Sequence, residues 1–154
     1  MKESRLQLLC YFVPEVSCKV NRKFDRKKAI EESAEGLEIE SSLTPEQAPA
    51  DTLGKYWLVQ MTIGKTPKEG ENSRYNFKIV LAGYFRFTGG GPSDPDEEQF
   101  VRVNGSSMLY GAAREMIRSL TGRAPWGEFF LPTLSFYRKE PAPQEPAAAP
   151  ANPA

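Results

Sequence analysis

Histidine, the side chain that most often moves protons in enzymes, is absent from this 154-residue chain. That removes Ser–His and Cys–His nucleophile pairs, histidine zinc sites and the usual pH switch. The two cysteines, Cys10 and Cys18, fall in one extended run. Eight residues at about 3.3 Å each put them roughly 26 Å apart, far beyond disulfide reach. They are expected to be small buried hydrophobes. Arg114 and Glu115 are adjacent charges, but neighbours on a helix point about 100° apart, so each is expected to bond elsewhere. The remaining acidic residues are scattered, without the ligand spacing of a calcium or zinc site. The triple glycine of TGGGPSDPDEE is followed by no Lys-Ser/Thr, and no helix is expected to open there, so it reads as a turn rather than a phosphate cradle. No catalytic residue, metal ligand or cofactor site emerges. The expectation is a binding protein, not an enzyme.

The chain does concentrate apolar surface where loops normally have little. Trp126, Phe129, Phe130, Leu131, Leu134 and Phe136 crowd a segment containing Pro125 and Pro132. Loops are usually polar because they run over the surface. Two readings follow. The segment is a lid that completes the core, or part of it stays open as a groove for another chain's hydrophobic residues.

The elements that must position this segment can be read from periodicity. In residues 5–21 the even positions Leu6, Leu8, Cys10, Phe12, Val16, Cys18 and Val20 are apolar, which predicts a long strand with Pro14 at a bulge or edge. A charged stretch from Phe24 follows, then a short alternation over Leu37–Leu43 and a turn-rich connector from Thr44 to Lys55. Trp57, Val59, Met61 and Ile63 predict another strand. Tyr75, Phe77, Ile79, Leu81, Phe85 and Phe87 predict one more beyond a polar hairpin loop. A helix is expected from Ser106, with serine as its N-cap, an apolar stripe of Leu109, Ala112, Ala113, Met116, Ile117 and Leu120, and Gly122 as its stop. Gly111, Ala112 and Ala113 leave one section of that helix thin enough for close approach by another helix. The expected fold class is α+β: a four-stranded antiparallel sheet with one main amphipathic helix packed on it. One helix covers a strip about 10 Å wide, whereas four strands at about 4.8 Å spacing span roughly 15–19 Å. Either the 124–137 segment or another subunit must cover the rest.

The totals bound the function class. Twenty basic and twenty acidic residues cancel, which argues against nucleic acid or an anionic membrane as partner. No apolar run approaches the roughly 18–20 residues of a membrane span, and MKESRLQLLCYF has too short an apolar run for a secretory signal. A soluble, cytoplasmic protein is expected. Residues 1–139 form one domain in this reading, and the Pro/Ala tail over 140–154 is expected to be disordered.

The segment AREMIRSLTGRAPWGEFFLPTLSF resembles the signature region of the SecB family of export chaperones. The matching positions are Ala113, Arg114, Glu115, Ile117, Arg123, Trp126, Leu131 and Phe136. Weaker likeness runs through YFVPEVSCKV, GLEIESS, YWLVQMTIG and FKIVLAGYFRFTG in the family's order. The resemblance implies a SecB-like fold assembled as a dimer of dimers, with no enzymatic activity. It implies an ATP-independent holdase for unfolded polypeptide clients, lined by the crossover after the first strand and the loop after the main helix. On that basis client contact falls on Phe24, Ile30, Trp126, Phe129, Phe130, Leu131, Leu134 and Phe136. Gly111, Ala112, Ala113 and Met116 fall in the oligomer interface of a tetramer or dimer. A SecA contact falls on Glu15, although Lys19 stands where the family has a second acidic residue. The family's second helix would follow Phe136, where YRKEP runs into the Pro/Ala tail instead, implying a more open groove or one completed by a client or partner. One branch of the family serves preprotein export and another guards an antitoxin, and both remain open here. The alternative is an oligomeric adaptor that uses the same surfaces for assembly alone.

Overall fold

The computed structural model describes residues 3–31, 36–46, 55–88 and 96–137. Four strands, β1 (Leu6–Val20), β2 (Leu37–Glu46), β3 (Lys55–Lys65) and β4 (Tyr75–Phe87), precede one helix, α1 (Glu97–Thr121). The strands pair antiparallel in the order β1-β4-β3-β2, so the four-stranded α+β arrangement expected from periodicity is the one found. The Gly89–Gly91 turn and the 140–154 tail lie outside the described residues.

Odd positions of β4 and β3 turn to the helix side and form the core. Ile63, Ile79, Phe85 and Val59 are fully buried there, with Leu109, Ala113 and Ile117 of α1 laid across them. Close approach depends on missing side chains. A Cβ on Gly105 would sit 3.0 Å from Val59, and one on Gly83 would sit 2.9 Å from Leu109.

Three expectations are corrected. First, α1 begins at Glu97, with Asp96 at the N-cap position, and not at Ser106. A helix therefore does open within the SDPDEE segment, at its first glutamate. Its buried stripe is Glu97, Val101, Gly105, Leu109, Ala113, Ile117 and Thr121, and the first half of that stripe contains one apolar residue of any size. Ser106 is buried in the helix interior, and Leu120, expected on the stripe, is exposed. Second, β1 does not keep one face inward. Register shifts between Leu8 and Cys10, and between Phe12 and Glu15, each insert one extra residue opposite β4. The first flips the alternation and the second restores it. Cys10 and Phe12 consequently lie opposite Tyr84 and Ala82 on the outer face, where the Phe12 and Tyr84 rings stand 6.1 Å apart. Cys10 is exposed, and only Cys18 is partly covered; its thiol is pushed up in pKa by burial. Third, β2 runs on through Thr44, Pro45 and Glu46, residues expected to be connector. Pro45 is tolerated because β2 is an edge strand.

Candidate functional site

Two segments frame the aromatic surface: the crossover after β1, Asn21–Glu31, and the loop after α1, Gly122–Tyr137. Neither is regular structure, yet each is fastened through its own backbone.

The crossover is held by Asn72, in the turn between β3 and β4. The Asn72 Oδ1 accepts from the Asp25 amide at 2.8 Å, and its Nδ2 donates to the Asp25 and Ala29 carbonyls at 3.0 Å each. The Glu31 amide donates to the Asn72 carbonyl at 3.2 Å. Asn21 extends the seam, its Nδ2 donating to the Ser73 carbonyl at 2.6 Å. The β3–β4 turn is stiffened in its own right. Lys65 is fully buried and its Nζ lies 2.8 Å from Glu71, whose second oxygen accepts from the Lys68 amide at 2.9 Å. The Lys65 hydrogen bond, followed by that amide, holds the Glu71 carboxyl below its ordinary pKa.

The loop is fastened by side chains of β4 and α1 and by Arg74 just before β4. Tyr75 donates its hydroxyl to the Gly127 carbonyl at 2.6 Å, and Arg74 donates to the Trp126 carbonyl at 3.0 Å. Tyr110 donates to the Pro132 carbonyl at 2.8 Å. The Thr121 Oγ1 donates to the Ile117 carbonyl and accepts from the Phe129 amide at 2.8 Å. Gly127 turns the chain at φ +80°, a conformation that favours glycine. These bonds satisfy backbone groups that would otherwise be buried unpaired beneath an apolar lid.

From Phe129 to Leu131 the side chains alternate between core and solvent, and the parity then shifts, so that Leu134 and Phe136 are half-buried while Thr133 and Ser135 are exposed. Phe129 and Leu131 point into the core, with the Phe129 ring edge-on to Phe77 at 5.3 Å and to Tyr75 at 6.4 Å. Both were expected on the client surface, and in this arrangement both are core. Phe130 between them is 61% exposed. Leu134 and Phe136 are half-buried, the Phe136 ring lying 5.5 Å from Tyr110. On the crossover, Ile30 is 53% exposed. Phe24 is half-buried against Trp126, ring centroids 5.5 Å apart, so crossover and loop meet at these two residues. Arg26 stacks on the other partner of that contact: its guanidinium is 4.5 Å from the Trp126 centroid and donates to the Pro125 carbonyl at 3.0 Å. The Trp126 Nε1 is buried without a hydrogen-bond partner among the described residues.

The positions expected to carry assembly are divided. Ala113 is buried against the sheet, whereas Gly111 is exposed with open space above it, and Ala112 and Met116 are half-buried. On β1, Tyr11, Val16 and Val20 point to the helix side yet remain exposed. Glu15 is on the outer face, paired with Lys78 at 3.0 Å. Sequence reasoning missed two buried polar clamps. One is Asn72 with the Lys65–Glu71 pair. The other is Glu97, which accepts from Lys55 at 2.7 Å and from the Trp57 indole at 2.9 Å. A buried polar residue in a turn or at a helix start looks in sequence like any solvated one.

Among the described residues no group of three or more His, Cys, Asp or Glu is placed to hold a metal ion. No helix among them is long and apolar enough to cross a membrane.

No family model matches the chain, and no curated protein matches it. Solved structures do. The Mycobacterium tuberculosis Rv1957 SecB-like chaperone, in complex with a ChAD peptide from the Rv1956 HigA1 antitoxin, aligns with a TM-score of 0.52 at 19% identity, over 84% of this chain and 91% of that one. A protein of unknown function from Streptococcus agalactiae aligns with a TM-score of 0.55 at 10% identity, over 83% and 97%. At these identities the likeness is one of fold: the chain has a SecB-like fold.

Proposed function

We propose that the protein is an ATP-independent holdase of the SecB-like kind, which binds extended hydrophobic segments of other polypeptides and performs no covalent chemistry. One observation carries the reading. Phe130 and Ile30 are exposed, and Phe24, Trp126, Leu134 and Phe136 are half-exposed, on two segments that are themselves hydrogen-bonded to the β3–β4 turn, β4 and α1. Large aromatic rings on a fixed frame give contact area at little side-chain entropy cost. Such a surface accepts many sequences, because few polar groups on it demand a particular partner. The solved SecB-like chaperone of similar fold is in complex with an antitoxin peptide, which supports a peptide as the occupant here.

Tyr11, Val16 and Val20 on the open edge of β1 support assembly of more than one copy, and this observation also favours the second reading, an oligomeric adaptor without chaperone activity. The readings separate in one assay. A holdase suppresses aggregation of an unrelated unfolded protein at stoichiometric ratio, and Phe130→Ser removes most of that suppression. Unchanged aggregation in the presence of the wild-type chain would leave the adaptor.

A further inference from the structure

We infer that Arg26 is a built-in cover of this surface: its guanidinium occupies the face of Trp126 that a client would take, and capture swings it aside. The inference rests on the holdase reading and adds a restraint on that same site. The residues expected to meet the client are not equally open. Phe130 is 61% exposed and Ile30 53% exposed, so both are accessible in the folded chain. Trp126 is not. The Phe24 ring lies against it at 5.5 Å, and the Arg26 guanidinium lies over its ring, 4.5 Å from the centroid. Its backbone is fixed, since Arg74 donates to its carbonyl. Its indole nitrogen is buried without a hydrogen-bond partner among the described residues, so the side chain is held there by ring contacts.

Of the two side chains on Trp126, Arg26 is the one free to leave. It is exposed, and its described hydrogen bond is a single one, to the neutral Pro125 carbonyl at 3.0 Å. Arg118, beside Phe130, is different: Glu115 and Glu128 hold it at 3.8 Å and 3.3 Å, and it leaves Phe130 in solvent. The backbone around Arg26 is pinned. Asn72 bonds both the amide and the carbonyl of Asp25, and also the Ala29 carbonyl. Arg26 can therefore rotate off the ring while the crossover, with Phe24, keeps its place. Exposed side chains change rotamer within nanoseconds, and an exposed guanidinium–ring contact is weak, so the cover opens without local unfolding. While it is closed it lowers the apparent affinity for client by the fraction of chains left uncovered. It also shields the largest ring of the surface when no client is bound, which keeps the exposed apolar patch small.

The test uses the full chain and an uncharged, tryptophan-free peptide of Leu, Val and Phe alternating with Ser and Gln, dye-labelled for fluorescence anisotropy. Arg26→Ala should bind this peptide about fivefold more tightly than the wild-type chain, a gain that loss of a merely supporting residue would not produce. In a Trp126→Ala background the same substitution should give no further tightening, because the two residues act as one unit. Acrylamide quenching gives a second readout without client: Arg26→Ala should raise the quenchable tryptophan signal, with Trp57, bonded to Glu97, as the constant background. Unchanged or weaker binding by Arg26→Ala would overturn the inference while leaving peptide capture standing. Tightening that persists without Trp126, or quenching that does not rise, would also overturn it, since Arg26 would then act elsewhere. If neither the wild-type chain nor Arg26→Ala binds the peptide, the holdase reading falls, and the inference with it.

Discussion

Phe129 and Phe130 are chemically identical neighbours with opposite roles, and the difference comes from the extended backbone between Gly127 and Pro132. Phe129 fills a buried site against Phe77 and Tyr75, so Phe129→Ala should cost about 3–5 kcal/mol in urea unfolding. Phe130 is 61% exposed, and Phe130→Ser should change stability by no more than about 0.5 kcal/mol while weakening client binding about tenfold. Similar destabilisation by both would mean the loop is only a lid. Glu71 gives a pH prediction. Its pKa lies below the ordinary 4.5 because Lys65 and the Lys68 amide stabilise the charged form. A carboxyl with a depressed folded pKa contributes stability that is fully present above the unfolded value and is lost as pH falls through the folded one. Urea midpoints should therefore drop below about pH 4.5, and Glu71→Gln should flatten that acid limb while lowering stability at neutral pH. An identical acid limb in the variant would show that other carboxyls set it.

The strands and the helix could be read as elements because their periods, two and near four, survive in the sequence. What failed was the count of extra residues and the detection of small ones. Pro14 marks the second β1 bulge in the sequence, as expected, but the first inserts Leu9, which resembles its neighbours, so the face of Cys10 and Phe12 is not legible there while the strand itself is. The first half of α1 buries Glu97 and Gly105, which carry no apolar signal: one is buried because Lys55 and Trp57 bind it, the other because β3 comes too close for a Cβ. The candidate site divides the same way. The excess of aromatics was evident, whereas the in–out alternation from Phe129 to Leu131 depends on the loop being extended. The crossover gives this scale its prediction. Asn72 bonds three of its backbone groups from the β3–β4 turn, so Asn72→Ala should speed hydrogen exchange across Asn21–Glu31 with α1 unaffected, and should weaken client binding because Phe24 loses its fixed place against Trp126. Uniformly faster exchange throughout would instead place Asn72 in the global folding unit.

For the molecule as a whole, the sheet has more apolar area on its helix side than one helix and one loop conceal. Tyr11, Val16 and Val20 remain in solvent along β1, and Phe130 and Ile30 remain on the two framing segments. These patches call for different occupants: a second copy along the strand edge, and an extended client over the aromatic surface. Tyr11→Ser with Val16→Ser should therefore lower the oligomer mass without abolishing capture of a short hydrophobic peptide, read by gel filtration and anisotropy on the same preparation. An unchanged mass would remove the edge from the assembly. The most direct test of the central claim is solution mass by light scattering, with and without a saturating unfolded client. The account predicts an oligomer that gains the mass of bound client and keeps it soluble at stoichiometric ratio, and a Phe130→Ser oligomer of the same starting mass that gains little. A wild-type assembly whose mass is indifferent to client, while the client aggregates at its unassisted rate, would contradict it.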